Sequence, residues 1–218
     1  RRRGLGRKTP ESVPAPPPAA RDEGPAPLTF NQEGLWAIDR MHPGRADFSV
    51  PGALRLRGPL DAVLLERSLG IIVRRHEVLR STFREIDGQP RQVVAPAGEW
   101  KLPLVDLSAR TAEEREAEAL AALTREARRP FDLAEGPLFR AVLLRLAEDD
   151  HVLSVNFHHA VSDGWSIGVL VREVAAFYGA ALTGGAPVLP DLPVQYGDYA
   201  AWQREHLCGE TLEELTAW

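Results

Sequence analysis

The hydrophobic positions of the chain alternate between the spacing of a helix and the spacing of a strand. In LDAVLLERSLGIIVRRHEVLR, apolar residues recur every three to four positions, which predicts an amphipathic helix opening at Asp61. In GALRLRG they recur at every second position, as in a half-buried strand. This interleaving predicts an α/β fold in which a mixed or antiparallel sheet is flanked by helices.

Capping and turn signals place most of the remaining elements. Thr29 is a candidate N-cap, and a capping box at Thr111 and Glu114 predicts another helix start. The pair Asp87-Gly88 between two short apolar runs predicts a hairpin. Strands are predicted for LFRAVLLRL and HVLSVNF, and helices for WSIGVLVREVAAFYGAAL, YGDYAAWQREHL and ETLEELTAW.

Proline is concentrated at the start of the chain. Residues 1–27 hold seven of the 18 prolines, which favours an extended linker without regular structure. Residues 28–218 are then expected to form one folded lobe. Linkers of this composition join modules, so we expect the chain to derive from a longer polypeptide.

Composition narrows the functional classes. The net charge of −5 gives no basic field for nucleic acid, and the basic block RRRGLGRK is typical of a solvated tail. A single cysteine, Cys208, excludes an internal disulfide framework and predicts a cytoplasmic location. No uninterrupted apolar run reaches about 18 residues, so no membrane span is expected.

The segment NFHHAVSDGWS, residues 156–166, carries the candidate chemistry. Histidine suits proton transfer near neutral pH, and neighbours on an extended segment point in opposite directions, so only one of His158 and His159 can face a given cleft. A structural histidine pair is the alternative. A metal site is not expected, because no further histidine cluster or CxxC lies nearby.

Four ordered motifs resemble those of nonribosomal peptide synthetase condensation domains. HHAVSDGWS matches HHxxxDGWS, the longer form of the HxxxDG motif of chloramphenicol acetyltransferase-like acyltransferases, and YGDYAAWQ matches YxDxAxWQ. RHEVLRSTF matches RHExLRTxF except at Ser81. LTFNQEGLW is similar to SxAQxRLW but has Asn31 for alanine and Gly34 for arginine.

This resemblance implies a chloramphenicol acetyltransferase-like lobe that is the N-terminal half of a two-lobed condensation domain. The implied reaction is peptide bond formation between two thioesters held on the 4′-phosphopantetheine arms of an upstream donor and a downstream acceptor carrier protein. No cofactor is expected to bind the lobe itself. A second lobe and an adenylation domain are the further partners that the resemblance implies.

The resemblance also implies roles for the motif residues. His159 is the catalytic histidine, either as a general base or as a group that positions the amine and stabilises developing charge. His158, Asp163 and Gly164 complete the motif. His158 is expected to point into the core. Gly164 allows the backbone to approach the reacting centre closely and can also offer its N–H to an oxyanion.

Several residues are expected to support this site. Asp163 caps the following helix or pairs with an arginine, with Arg75 the first candidate and Arg80 the next. Trp165 and Ser166 begin the next helix, where Ser166 either hydrogen-bonds the tetrahedral oxygen or packs. Packing is also the alternative for Trp165. Core packing is expected for the other aromatic residues at motif positions, namely Trp36, Tyr196 and Trp202.

Two other functions fit parts of the same pattern. A free-standing chloramphenicol acetyltransferase-like acyltransferase would complete its cleft by forming an oligomer. A non-catalytic docking module would keep the fold without the reaction. The proline-rich segment and the motifs specific to condensation domains favour a condensation domain over the free-standing acyltransferase. The intact HHxxxDG motif favours it over the docking module.

Overall fold

The computed structural model describes residues 24–208, which fold into two sheets and five α-helices. The helices are α1 Phe30–Met41, α2 Ala62–Arg75, α3 Ala112–Arg128, α4 Gly164–Thr183 and α5 Tyr196–His206. The strands are β1 Ala26–Pro27, β2 Ser49–Arg57, β3 Ser81–Ile86, β4 Gln89–Val94, β5 Leu104–Asp106, β6 Phe139–Ala147 and β7 Asp150–His158. A 3₁₀ turn, Glu77–Arg80, joins α2 to β3.

The two sheets confirm the predicted fold class. The smaller sheet has the antiparallel order β1-β4-β3. The larger has the order β2-β7-β6-β5, in which only the β5–β6 pair is parallel. The local signals also hold, because Thr29, Asp61 and Thr111 cap their helices, and Asp87 and Gly88 turn the β3–β4 hairpin with positive φ angles of 52° and 74°.

Residues 26 and 27 differ from the sequence prediction. They were expected to belong to a linker without regular structure, yet Ala26 pairs with Gln92 and Pro27 with Arg91. Proline is tolerated at the edge of a sheet, where its missing N–H interrupts no ladder. Residues 1–23 and the predicted helix ETLEELTAW lie outside the described residues.

The four-stranded sheet separates two hydrophobic layers. On one face, α2 and α4 cover a core that includes Leu69, Ile72 and Leu170. On the other face, α3 packs through Ala119 and Ala122. Residues at every second position of β6 and β7 enter the same layer, as the period of a strand requires.

A smaller core lies beneath the turn that carries the two histidines. It joins α1 and β3 to the segment before β6 and to the turn itself. Its buried members are Leu28, Leu35, Phe83, Phe131, Leu133, Leu138, Ala160 and Val161. Ala160 and Val161 therefore anchor the chain after β7 to the body of the protein.

Helix α4 departs from the expectation that no segment is long and apolar enough to cross a membrane. Among residues 24–208 it is the one helix that passes this test, with 20 residues and a mean hydropathy of 1.3. Arg172 and Glu173 interrupt its apolar run, but they leave the average high. The same helix packs against α2, and Glu173 is buried in that contact, so length and composition alone decide nothing about a membrane.

Phe139 provides a test of the larger core, because its ring lies between those of Trp100 and Phe157, with centroid distances of 5.7 and 4.7 Å. We expect Phe139→Ala to lower the free energy of unfolding by about 3–5 kcal/mol, the range for removing a buried aromatic ring. Chemical denaturation at equilibrium measures this change. Val188→Ala, at a position that is 95% exposed, is the control and should stay within about 0.5 kcal/mol of the parent. A loss below about 1 kcal/mol for Phe139→Ala would contradict this view of the core.

Candidate active site

The two adjacent histidines lie where β7 ends and face opposite ways. His158 is the last residue of β7 and is only 4% exposed, whereas His159 is exposed. The backbone is fixed at both positions, because the His158 N–H donates to Leu138 O at 3.0 Å and the His159 N–H donates to Phe48 O at 2.8 Å. Strand alternation therefore separates the pair as the sequence predicted.

His158 is held on the inner side by its ring contacts. Phe48 and Phe131 flank the imidazole, and Nδ1 accepts a hydrogen bond from the N–H of Ala160 at 3.1 Å. Burial and, as a smaller cause, the neighbouring His159 together lower the pKa of His158 to about 4. A ring that is neutral and accepts at Nδ1 carries its hydrogen on Nε2.

His159 borders a cavity of about 310 Å³ between β7, α4 and the segment before α5. Among the residues that the motifs singled out, Asp163, Ser166 and Tyr196 share its wall. Burial raises the pKa of Tyr196, although a hydrogen bond with Thr29 acts against this rise. Tyr196 is thus a wall residue of the cavity rather than the core residue that the sequence predicted.

Asp163 is the N-cap of α4 and not the partner of an arginine. Its carboxylate accepts hydrogen bonds from the backbone N–H of Ser166 at 2.8 Å and from its hydroxyl at 2.6 Å. These bonds, led by the side-chain one, lower the pKa of Asp163. The aspartate is exposed, so water and the helix terminus stabilise its charge without an ion pair.

The two candidate arginines lie in other contacts, which corrects the predicted pairing with Asp163. Arg75 pairs with Glu173 of α4, with Nε 3.2 Å from Oε1, and also donates to the carbonyl of Pro190. Arg80 pairs with Glu77 at 3.5 Å and donates to the carbonyl of Ala95. Both arginines hold the scaffold of the site instead of the motif aspartate.

Gly164 and Trp165 form the exposed first turn of α4. A Cβ at position 164 would meet no atom within 4 Å, so packing among the described residues does not require a glycine there. Trp165 is 79% exposed, which excludes a core role in this lobe. Among residues 24–208, no group of three histidine, cysteine or acidic side chains is arranged to hold a metal ion.

Two buried groups around the site were not among the predicted site residues. Gln32 donates from Nε2 to Ala160 O at 3.1 Å and to Gln92 Oε1 at 3.2 Å, which joins α1, β4 and the histidine turn. Glu173 is 5% exposed and contacts His76 as well as Arg75. Two sequence signals could have indicated these residues. Gln32 occupies a motif position, and Glu173 is a carboxylate within an apolar helix, where a buried carboxylate rarely lacks a partner.

Comparison with known proteins agrees with the fold and the motif. Solved proteins with this mixed α/β architecture include a condensation domain of the chloramphenicol acetyltransferase-like fold. The Condensation domain family model matches residues 22–218, and the chain belongs to the condensation-domain family.

Individual relatives show how far the likeness reaches. The chain is 48% identical over 201 residues to a linear gramicidin synthase protein of Brevibacillus parabrevis, an alignment that covers 92% of this chain and 3% of that protein. The X-domain in its complex with OxyB from teicoplanin biosynthesis has a TM-score of 0.78 at 34% identity, covering 89% of this chain and 41% of that chain. The first condensation domain of the calcium-dependent antibiotic synthetase, solved with substrate analogue 2a, has a TM-score of 0.77 at 26% identity, covering 88% and 45%. The chain therefore spans less than half of each of these proteins.

The capping role of Asp163 predicts a modest effect of its removal. Asp163→Ala should lower the free energy of unfolding by about 0.5–2 kcal/mol, as the loss of an N-cap does. Breaking a buried ion pair would cost about 3–5 kcal/mol instead. Thermal and chemical unfolding measure the difference, with Asp163→Ser as the matched control that retains a capping oxygen. A loss of about 3 kcal/mol or more that serine does not restore would contradict the capping role.

The buried neutral imidazole of His158 predicts a pH dependence of stability. The unfolded ring has a pKa near 6.5, above its folded value of about 4, so the unfolded state binds the proton more readily between these values. The contribution of His158 is complete above pH 6.5 and is lost as the pH falls toward 4, with a slope of up to about 1.4 kcal/mol per pH unit.

His158→Asn tests this slope, because an asparagine oxygen can accept the Ala160 N–H but does not titrate. The variant should be less stable than the parent at about pH 7, and its stability should fall less steeply between pH 6.5 and 4. Urea titrations at several pH values compare the two slopes. Equal slopes in the parent and the variant would show that His158 is not the buried neutral group described here.

Proposed function

We propose that this chain carries the histidine motif of a domain that forms a peptide bond between two carrier-bound thioesters. The observation that carries the proposal is the division of the histidine pair. His158 is locked in the interior, while His159 is presented at the edge of a cavity of about 310 Å³. Such a cavity beside a histidine at a strand end is the usual setting for positioned acid–base chemistry.

In the proposed reaction, the amine nitrogen of the acceptor attacks the carbonyl carbon of the donor thioester. The new C–N bond replaces the C–S bond, and the donor's carrier leaves as a thiol that takes up the proton released by the amine. His159 contacts the amine, orients its lone pair toward the carbonyl and holds the proton in transit. The thioester itself supplies the energy of the reaction, so no cofactor bound by this lobe is needed.

The rigidity of the turn supports this role for His159. Gln32 and His158 both hydrogen-bond the backbone of Ala160, one at its carbonyl and the other at its N–H. Asp163 then fixes the start of α4 through its two bonds with Ser166. A catalytic group is effective when its neighbours hold it in one orientation, and these bonds do so on both sides of His159.

The proposed partners are the donor and acceptor carrier proteins with their 4′-phosphopantetheine arms, a second lobe and an adenylation domain of the same synthetase. Exposed apolar side chains on α4, including Trp165 and Val171, offer a surface for the second lobe. A cytoplasmic location is part of this proposal, and the free exposed Cys208 agrees with a reducing compartment. Residues 1–23 are proposed to form the linker to a preceding module.

A docking role is the second candidate function. The observation that favours it is the likeness to the teicoplanin X-domain, which was solved in complex with OxyB and is 34% identical to this chain. In that case the lobe would bind a partner protein without using His159. The intact histidine motif and the cavity beside it favour the catalytic function.

The proposal predicts the effect of removing His159 from the intact synthetase. His159→Ala should slow single-turnover peptide formation from two preloaded carrier proteins by about 10²-fold or more, the usual scale for a positioned acid–base or electrostatic group. Loading of the carriers should be unchanged, because it takes place on other domains. Rapid-quench product analysis measures both steps.

His158→Asn is the matched control, since it changes the neighbouring ring and leaves His159 in place. Its main effect should appear in the melting temperature, with peptide formation within about tenfold of the parent in the folded protein. The catalytic assignment fails if His159→Ala keeps the parent rate. A folded protein that loses peptide formation only through His158→Asn would reverse the roles of the pair.

A further inference from the structure

The cavity beside His159 contains a second histidine that the proposed reaction does not use. Its wall is mostly apolar and includes Ile72, Leu79, Val169 and Leu170. His76, at the end of α2, also borders it. Pockets of this kind bind an apolar group and use a few polar atoms to fix its orientation.

Some of the other polar side chains of the wall are bonded within the protein. Asp163 and Ser166 bond each other. Gln195 accepts from the N–H of Glu77 at 3.1 Å and donates to the carbonyl of Arg75 at 3.0 Å. These groups shape the wall, but their main hydrogen-bonding capacity is taken.

The contact with Glu173 fixes which nitrogen of His76 carries the hydrogen. Nε2 of His76 lies 2.7 Å from Oε2 of Glu173, whose other oxygen pairs with Arg75. A carboxylate only accepts hydrogen bonds, so Nε2 is the donor and Nδ1 of the neutral ring keeps its lone pair.

Nδ1 of His76 is therefore an acceptor without a donor in the described structure. No group among residues 24–208 hydrogen-bonds it, and it is not one of the polar atoms sealed in the interior. A ligand that fills the cavity and leaves this acceptor unpaired binds more weakly. Ser162, whose hydroxyl has no partner in the described part of the chain, can both donate and accept, so it does not discriminate between ligands.

We propose that this cavity is a side-chain subsite for a thioester substrate whose side chain is mostly apolar and ends in an N–H or O–H donor. A phenol or an indole meets this description, and a phenyl ring does not. Within the described residues no lysine or arginine lines the cavity, so an acidic side chain would find no counterion there. The inference rests on the proposed condensation function for the identity of its ligand as an aminoacyl or peptidyl group.

The test measures binding rather than catalysis. The 218-residue chain is titrated with stable amide analogues of tyrosyl and phenylalanyl N-acetylcysteamine thioesters, and two-dimensional NMR gives the dissociation constants. The tyrosyl analogue should bind about tenfold more tightly, because a site with an unpaired acceptor rejects a ligand that lacks the donor. Analogues with a free amine represent the acceptor substrate, and N-acetylated analogues represent the donor. The series with the larger preference for tyrosyl over phenylalanyl shows which of the two substrates places its side chain in the cavity.

Two variants separate a binding role of His76 from a structural one. His76→Gln places an amide near the Nε2 position, so it can keep the bond to Glu173 while removing the Nδ1 acceptor. It should bring the two dissociation constants within about twofold of each other. His76→Asn places its oxygen near the Nδ1 position and gives up the bond to Glu173, and it should retain a preference for the tyrosyl analogue. If His76 had a purely structural role, His76→Gln would retain the preference for the tyrosyl analogue and His76→Asn would lose it.

Equal binding of the two analogues by the parent protein would overturn the subsite, as would the absence of binding by both. Neither outcome bears on peptide formation by the intact synthetase, which is measured separately through His159→Ala. Retained tyrosyl preference in His76→Gln would also overturn the assignment, because the discriminating acceptor would then be another group.

Discussion

The two-residue period of β7 is the constraint on which the rest of the site depends. β7 is hydrogen-bonded along its length to β2 on one side and β6 on the other, so its register cannot slip without exposing a core face. Leu153, Val155 and Phe157 enter the layer beneath α2 and α4, and His158 consequently enters the opposite side. His159 directly follows the strand and continues the alternation, so it lies on the same side as Phe157 and borders the cavity.

Burial of polar groups holds the elements around this strand in place. Glu173, buried in the contact between α4 and α2, is acceptable there because Arg75 and His76 share its two oxygens. Gln32 plays the same part under the turn, where its amide is bonded to Thr29, Gln92 and Ala160. Leaving either group without its partners would cost more than the bonds themselves contribute, so these contacts specify one arrangement of helix against sheet.

Much of the fold could be predicted from the sequence because its signals are local. Caps such as Thr111, the turn at Asp87-Gly88 and the alternation in β6 and β7 each act within a few residues. The three-residue strand β5 and the pairing of Ala26 and Pro27 escaped prediction because they depend on a partner strand distant in the chain. The site was predicted less completely for the same physical reason. The opposite directions of His158 and His159 follow from local geometry, and in the structure His158 is buried while His159 is exposed.

The partner of Arg75 depends on the packing of α4 against α2, which no spacing in the sequence reveals. Recognition of the motif indicated that an arginine belonged with Asp163. Ser166, three residues along the same helix, already meets the needs of that carboxylate. Arg75 is instead required by Glu173, whose burial only the packed helices make apparent.

The separation of the two histidines can be measured directly by chemical modification. Carbethoxylation with diethyl pyrocarbonate, followed by tandem mass spectrometry of the peptide that contains both, reports the reactivity of each ring in the native protein. Because His158 is 4% exposed and His159 lies on the open side of the turn, His159 should be modified at least about tenfold faster, and the difference should vanish in denaturant. Equal modification of both rings in the folded protein, or faster modification of His158, would contradict the separation of the pair.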